Sequence, residues 1–500
     1  MKRRWIYSLI IFILSVAINL FVFFYLYLST TNSQKFQSIL FIGNIVVYIL
    51  ATILGISIVL SKKYTYSKLL WLMILFLNPI AGLLLYSILA RDFKMNSVKF
   101  ERPLLKNNKY LDYEPYRNQE FNDDIFSYLH QNSKKSVFVN NTRTTILTNG
   151  ENFFPLLKKK IIEAKESICL SSYIIQNDEL ANEILELLVA KAEAGVKVWL
   201  LYDYLGAKNI NKKIIKNLRK ANGQATAFEK FTLVNFMNAL NYRYHRKLII
   251  IDGKYGFIGG MNLGKEYNHQ SKKFGFWRDT HLMMEGEGVV SLANIFKKDW
   301  YYATGNWIDF KYNYDNLYEE GLVASVESGV DHHDEIIKEI YFKMINSAKK
   351  SIYITTPYLM VEPDLELALI TASRTGVSVN ILLPGKPDKF LINQATKSYY
   401  ENLLKNNINI YEYNQTFVHA KCLIIDDKIA SLGTVNLDPR SFNINFEATV
   451  FMKNQSVNHL VNDFKADLMH STKIELEKWQ NRPFIMRFLQ GLVGLFSPLF

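Results

Sequence analysis

The sequence predicts an α/β protein: two pseudo-twofold-related halves, each a mixed β-sheet flanked by helices, preceded by N-terminal transmembrane helices. Three observations predict it. Long uncharged apolar runs fill the N-terminal region, short β-rich runs alternate with helical patterns beyond about Phe100, and two long stretches of that remainder repeat one another.

The membrane region comes first. Trp5 to Leu28 carries no charge over a length sufficient to cross a bilayer, and Ile39 to Leu60 repeats the feature. The first run is too long for the apolar part of a signal peptide and has no small-residue cleavage site after it, so it is expected to be retained. A third run, Leu69 to Ala90, is interrupted by Asn78, Pro79 and Gly82 and either spans or re-enters as two half-helices. Lys2, Arg3 and Arg4, then Lys62, Lys63 and Lys68, place the N-terminus and the second loop on the cytoplasmic side. Arg91 and Lys94 keep the rest of the chain on that side. The segmentation read from this is 1–100 membrane region, 101–315 first half, 316–480 second half and 481–500 hydrophobic tail.

The repeat defines the halves. Ala164 to Asp203 matches Ala348 to Gly385, each a strand, a capped helix stopped at a glycine (Gly195, Gly376) and a second strand. Each is followed by one copy of a five-residue pattern. "YHRKLIIIDGKYGFIGGMN" supplies His245, Lys247, Asp252, Gly259 and Asn262; "VHAKCLIIDDKIASLGTVN" supplies His419, Lys421, Asp426, Gly433 and Asn436. At about one position in twenty per residue type, five matches arise by chance less than about once in a million starting points, so two copies in one chain are not accidental.

The spacing has a geometric meaning. On a strand, side chains two apart share a face, so His245 points with Lys247 and His419 with Lys421. The apolar runs after them enter the core, and "DG" or "DD" reads as a hairpin turn. Counting back from it sets Gly260 or Thr434 nearly opposite the histidine, leaving room for a ligand, with Asn262 or Asn436 beyond to donate hydrogen bonds. Two imidazoles and two lysines converging across a pseudo-twofold seam give fixed positive charge for a phosphate plus two groups that titrate near neutrality. That suits phosphoryl transfer through a phosphohistidine. His245, Lys247, Asp252, His419, Lys421 and Asp426 are therefore the expected catalytic residues, and Asn262, Asn436, Gly260 and Thr434 the phosphate-binding positions. Asp279 and Glu447, in strand-like runs after each Asn, are the expected partners that orient the histidines. No carboxylate cluster has metal-ligand spacing, and neither metal nor cofactor is expected, since lysines and asparagines can stabilise the charge.

Composition agrees. Lys and Arg number 59 against 46 Asp and Glu, a net charge of +13, which points to an anionic partner, nucleic acid or acidic lipid. The apolar N-terminus favours lipid. The 30 Tyr and 33 Phe read as core and membrane belt, not a nucleic-acid stacking platform. Cys169 and Cys422 sit in apolar strand-like runs and read as buried free thiols. Arg482 to Phe500 repeats apolar residues at helical spacing, which suits either the lipid interface or packing on the protein's own core.

The duplicated His-x-Lys-x4-Asp pattern resembles the phospholipase D superfamily. With "LLWLMILFLNPIAGLLLYSILARDF", "FGFWRDTHL", "TTPYLMVEPDL" and "LGTVNLDPRSFNINFE", nearly the whole chain is similar to its bacterial cardiolipin synthases. That resemblance implies two phospholipase D-like domains in a multi-pass protein of the bacterial plasma membrane. It also implies transfer of a phosphatidyl group between two phosphatidylglycerols with release of glycerol, and His245 as the nucleophile with His419 as acid and base. Members commonly carry Gly-Ser where this chain has Gly259-Gly260 and Gly433-Thr434, so Asn262 is expected to carry more of the phosphate. A membrane-bound phospholipase D-type hydrolase, or another phosphatidyltransferase, is the competing reading, because water and an alcohol compete for one phosphohistidine.

Overall fold

The computed structural model describes residues 34–61, 65–89, 123–132, 138–139, 141–228, 241–313, 321–330, 335–414 and 416–497. The apolar run Trp5 to Leu28 and its flanking charges lie outside the described residues. Two compact units divide the chain near Asp92.

In the first unit, helix α1 (Gln34–Leu60) contains a 20-residue segment, Phe41–Leu60, long and apolar enough to cross a membrane. The next apolar run is two helices, α2 (Thr65–Leu77) and α3 (Pro79–Leu89). At 1.5 Å per residue these reach about 20 and 16 Å, short of the roughly 30 Å of a bilayer's hydrocarbon. The chemistry of the break is local. Pro79 has no N–H to continue α2 but suits the first position of a helix, and Asn78 Oδ1 accepts the Ala81 N–H at 3.0 Å. Gly82 then lies so close to α2 that a Cβ would stand 2.5 Å from Leu75 Cα. Ala51, Ile58, Trp71 and Leu75 form this unit's small core.

The second unit holds both halves. In the first half the strands are β1 (Thr142–Thr148), β2 (Ser167–Ser172), β3 (Lys197–Asp203), β4 (Gln224–Phe228), β5 (Leu248–Ile251), β6 (Tyr255–Gly259) and β7 (Thr280–Gly286), arranged β1-β7-β6-β5-β2-β3-β4. In the second half β8 (Leu322–Ser328), β9 (Ser351–Thr355), β10 (Ser378–Pro384), β11 (Asn409–Tyr413), β12 (Cys422–Ile425), β13 (Ile429–Gly433) and β14 (Glu447–Lys453) adopt the same plan, β8-β14-β13-β12-β9-β10-β11. Within each sheet the three strands of the βαβ repeat are parallel and the rest antiparallel. Helices α4 (Glu179–Glu193) and α5 (Pro363–Arg374) are the crossovers of the repeat, and Gly195 (φ 88°) and Gly376 (φ 94°) follow their C-termini as expected.

Alternation along the strands builds three apolar layers. Ile168, Leu170, Val198, Leu200, Ile249 and Ile251 pack under the first half's outer helices. Cys169, Trp199, Leu201, Leu248 and Ile250 point the other way, into a core shared with Ile424, Leu432, Ala448 and Val450 of the second half. Ile352, Ile354, Val379, Ile381, Leu423 and Ile425 face the second half's own helices. The halves are thus fused through a common apolar layer. They also exchange chain: Phe138–Val139 pairs with β8, and Ile125, Phe126 and Leu129 of the helix Asp124–Asn132 enter the second half's core, so these residues cross the division drawn at 315.

The tail forms α8 (Phe484–Gly494), which packs on the second half's helix α6 (Phe390–Lys405). Val493 and Leu489 join Met360 and Ala395, and Gln490 bonds Gln394 and Arg482. Phe484, Ile485, Phe488, Leu492 and Leu495 remain exposed. One face meets the expectation of packing on the protein, and a second apolar face is left outward.

Candidate active site

His245 and His419 each stand just before the strand that carries its motif, where the chain is held by the other half. The His245 N–H donates to Phe446 O at 2.9 Å, and the His419 N–H to Arg278 O at 2.7 Å. Those partners precede Glu447 and Asp279, so each backbone pairing delivers a carboxylate to a histidine across the seam. His245 Nδ1 lies 2.9 Å from Glu447 Oε2, and His419 Nδ1 2.7 Å from Asp279 Oδ2. The two pairs are crosswise, each histidine matched with the acid of the opposite half.

The lysines turn back to their own motifs. Lys247 Nζ donates to His245 O at 2.7 Å and Lys421 Nζ to His419 O. Burial lowers both ammonium groups, Lys247 to about 7 and Lys421 to about 8, although Glu447 and Asp279 favour their charged forms. Burial likewise pushes His245 down to about 4 and His419 to about 3, aided by the neighbouring lysines and opposed by the paired carboxylates. Against burial, which raises it, Asp279 is held at about 2 by His419 and Lys421; Glu447 is lowered by His245 and Lys247. The resting site is therefore two neutral imidazoles facing two carboxylates. A carboxylate can only accept, so Nδ1 carries the proton and Nε2 keeps its lone pair.

The structure places the remaining expected residues differently. Asp252 and Asp426 stand seven residues beyond the histidines, roughly 20 Å of extended chain, at the far ends of β5 and β12. This corrects their grouping with the catalytic residues. Each is the first residue of the three-residue loop that joins two paired strands, with φ of 53°, followed by Gly253 or Asp427 at 57°. The Asp252 carboxylate accepts the N–H groups of Lys165, Glu166 and Ser167, and Asp426 those of Lys349, Lys350 and Ser351, all within 2.9 Å. Asp252→Ala strands three donors and is expected to cost about 2 kcal/mol of stability, read as a lower unfolding midpoint, with the folded fraction keeping its specific activity. A folded but inactive variant would return Asp252 to the chemistry.

Gly260 and Thr434 serve the carboxylates. A Cβ on Gly260 would stand 2.0 Å from Asp279 Oδ1, so glycine admits the acid, and Thr434 Oγ1 donates to Glu447 Oε2. Asn262 is already engaged: Oδ1 accepts from Ile174 N–H at 3.1 Å and Nδ2 donates to Tyr267 Oη at 2.6 Å. Asn436 differs, with a buried Oδ1 that has no hydrogen-bond partner among the described residues. Sequence reasoning passed over Tyr173, whose ring meets His245 edge-on at 4.9 Å, and Arg246, buried between Asp299 and the carbonyls of Glu447 and Ser328. Arg246 was visible inside the first motif; nothing in local spacing announces Tyr173.

The description "Cardiolipin synthase, PLD-like domain" belongs to the family profile that matches residues 157–300 and 341–468. The cardiolipin synthase of Halalkalibacterium halodurans (strain ATCC BAA-125 / DSM 18197 / FERM 7344 / JCM 9153 / C-125) is 36% identical, over 91% of this chain and 93% of that protein. That of Geobacillus sp. (strain WCH70) is 35% identical over 98% of both, and cardiolipin synthase 2 of Bacillus anthracis 37% identical over 90% of both. Among solved structures, the phosphatidylserine synthase of Haemophilus influenzae Rd KW20 shares the fold, with a TM-score of 0.57 at 14% identity, over 76% of this chain and all of that one.

Proposed function

The chain belongs to the cardiolipin synthases with phospholipase D-like domains, and from that premise we propose how its residues carry out phosphatidyl transfer between two phosphatidylglycerols. His245 Nε2 attacks the phosphorus of the first lipid while its Nδ1–H stays on Glu447. The glycerol oxygen leaves with a proton delivered by His419, which the bound phosphate's negative charge helps to protonate. The phosphohistidine is then opened by a hydroxyl of the second phosphatidylglycerol, whose proton passes to His419 as the P–N bond breaks. Lys247 and Lys421 neutralise the phosphoryl oxygens. The observation that carries this reading is the crosswise pairing of each histidine's Nδ1 with an acid of the other half.

The same reading sets the enzyme in the bacterial plasma membrane through more than one apolar segment, with residues 101–315 and 316–480 on the cytoplasmic side and the outward face of α8 in the lipid interface. Purified full-length chain given phosphatidylglycerol labelled in its headgroup should release one glycerol per cardiolipin formed. Phosphatidate without cardiolipin would favour the hydrolase.

The lysines impose a pH dependence. Both are charged below their folded values of about 7 and about 8 and lose that charge above them. The KM for phosphatidylglycerol should therefore begin to rise as pH passes about 7, by about tenfold per pH unit at most, and by up to about a hundredfold per unit once pH passes about 8 and both charges are being lost. A KM flat to about pH 9 would mean the ammonium groups stay charged throughout.

A further inference from the structure

Cardiolipin formation sets a problem that glycerol release does not: the acceptor lipid brings a second phosphate, three carbons from the one that reacts. We propose that Arg440, together with Arg243, forms a second anion subsite beside His245 that binds this spectator phosphodiester, with Asn445 and Asn436 facing the acceptor's non-reacting glycerol hydroxyl. The inference rests on the transfer reaction proposed above and names the acceptor side of that site.

Both arginines lie on the seam that positions His245. Phe446 N–H donates to Arg243 O at 2.9 Å, and α7 (Pro439–Asn443) is followed by Asn445, whose N–H donates to Arg440 O at 2.8 Å. Arg440 Nη2 in turn donates to Asn241 O at 2.6 Å, two residues before Arg243. Tyr173 ties this pair to the reacting phosphate. The Arg243 guanidinium and Lys247 Nζ each lie 5.5 Å from the centre of its ring, so the two cations cannot be further apart than twice that distance.

Arg243 is matched by Asp203, but Arg440 meets no carboxylate within ion-pair distance among the described residues. Asp438, the nearest acid along the chain, spends an oxygen on the Ser441 N–H at 2.7 Å, and burial pushes its carboxyl up to about 6. Burial lowers Arg440; Asp438 and Tyr173 oppose the shift in part, and the field of Arg243 adds to it. A largely buried guanidinium beside another cation is costly unless an anion joins it, and a phosphodiester accepts from the guanidinium fork on two oxygens.

Two further atoms support the same occupant. Asn445 places its Nδ2 3.4 Å from Glu447 Oε1, while its Oδ1 and that of Asn436 are buried without partners among the described residues. Both are acceptors and so suit a hydroxyl donor: of the acceptor's two glycerol hydroxyls, the non-reacting one can donate here while the reacting one donates to His419. One hydroxyl oxygen forms the new P–O bond, the P–Nε2 bond breaks with its electron pair returning to His245, and the hydroxyl proton goes to His419.

The test compares two acceptors on one phosphohistidine. Exchange of labelled free glycerol into phosphatidylglycerol needs no spectator phosphate; cardiolipin formation does. In Arg440→Gln, cardiolipin formation should fall at least about tenfold further than glycerol exchange, by loss of charge-assisted hydrogen bonds, and Arg440→Lys should recover part of the difference. A parallel fall in both rates would make Arg440 a structural residue, and no change in either would remove it from the site. The unmodified enzyme gives an independent reading: glycerol 3-phosphate should act as acceptor with a KM at least about tenfold below that of glycerol, and equal KM values would overturn the subsite. An enzyme that exchanges glycerol yet makes no cardiolipin would instead sink the transfer reading, and the subsite with it.

Discussion

Replacing His245 or His419 with alanine should each lower cardiolipin formation by a factor on the order of 10⁴ or more, and the double variant should be no worse than either single one. The reason is that the two imidazoles serve one reaction coordinate. Without His245 there is no atom to hold the phosphatidyl group, and without His419 neither leaving glycerol nor incoming hydroxyl has a proton carrier. Activity above a few per cent in either single variant would remove the shared-site mechanism. The variants also differ in a way that assigns the nucleophile. His419→Ala keeps Nε2 of His245 and its Glu447 partner, so a slowly formed phosphatidyl adduct has no base to open it. Lipid labelled in the phosphate should then leave label on the peptide containing His245. Label on His419 in His245→Ala, with none in the converse experiment, would reverse the two roles and leave the crosswise geometry intact.

Much of this was legible in the sequence because it is local. Apolar runs of four residues ending in Asp252-Gly253 or Asp426-Asp427 specify a strand and a hairpin by chain geometry alone, and both turns have the positive φ values such pairs tolerate. His245 with Lys247, and His419 with Lys421, follow from the two-residue period of a strand. The same local logic misled where repetition was taken for proximity. Asp252 and Asp426 recur because the hairpin recurs; their carboxylates hold the backbone at the start of β2 and β9, away from the histidines. Asn262 and Asn436 occupy matching positions, yet the Ile174 N–H and the Tyr267 hydroxyl engage the first, whereas the oxygen of the second has no partner among the described residues, a difference the shared pattern does not show. The long-range features had no periodic signal at all. His245 and Glu447 are 202 residues apart and His419 and Asp279 are 140 apart, so which acid meets which base is decided by the packing of two sheets on one core. Arg440 stood in plain view in "LGTVNLDPRSFNINFE", but an arginine becomes informative only when its burial and its partners are known.

Neutralising either acid should be nearly as severe as losing a histidine, and the two losses should stop the reaction at different stages. In Glu447→Gln the amide can present its N–H₂ to His245 Nδ1, which then has to accept, so the ring proton moves to Nε2 and the lone pair that attacks phosphorus is gone. Cardiolipin formation should fall on the order of 10³-fold, with no phosphohistidine detectable on rapid quenching. Thr434→Val removes one of the hydrogen bonds that hold Glu447 and keeps its charge, so a loss of about tenfold is expected there. Asp279→Asn acts instead on His419, leaving the nucleophile in its reactive tautomer. Its adduct should form slowly and persist, so label accumulates on His245 while product formation drops by a similar 10³-fold order. Because Asp279 comes from the same half as His245, and Glu447 from the same half as His419, a site assembled within each half would give the opposite pattern: Asp279→Asn would abolish the adduct and Glu447→Gln would preserve it.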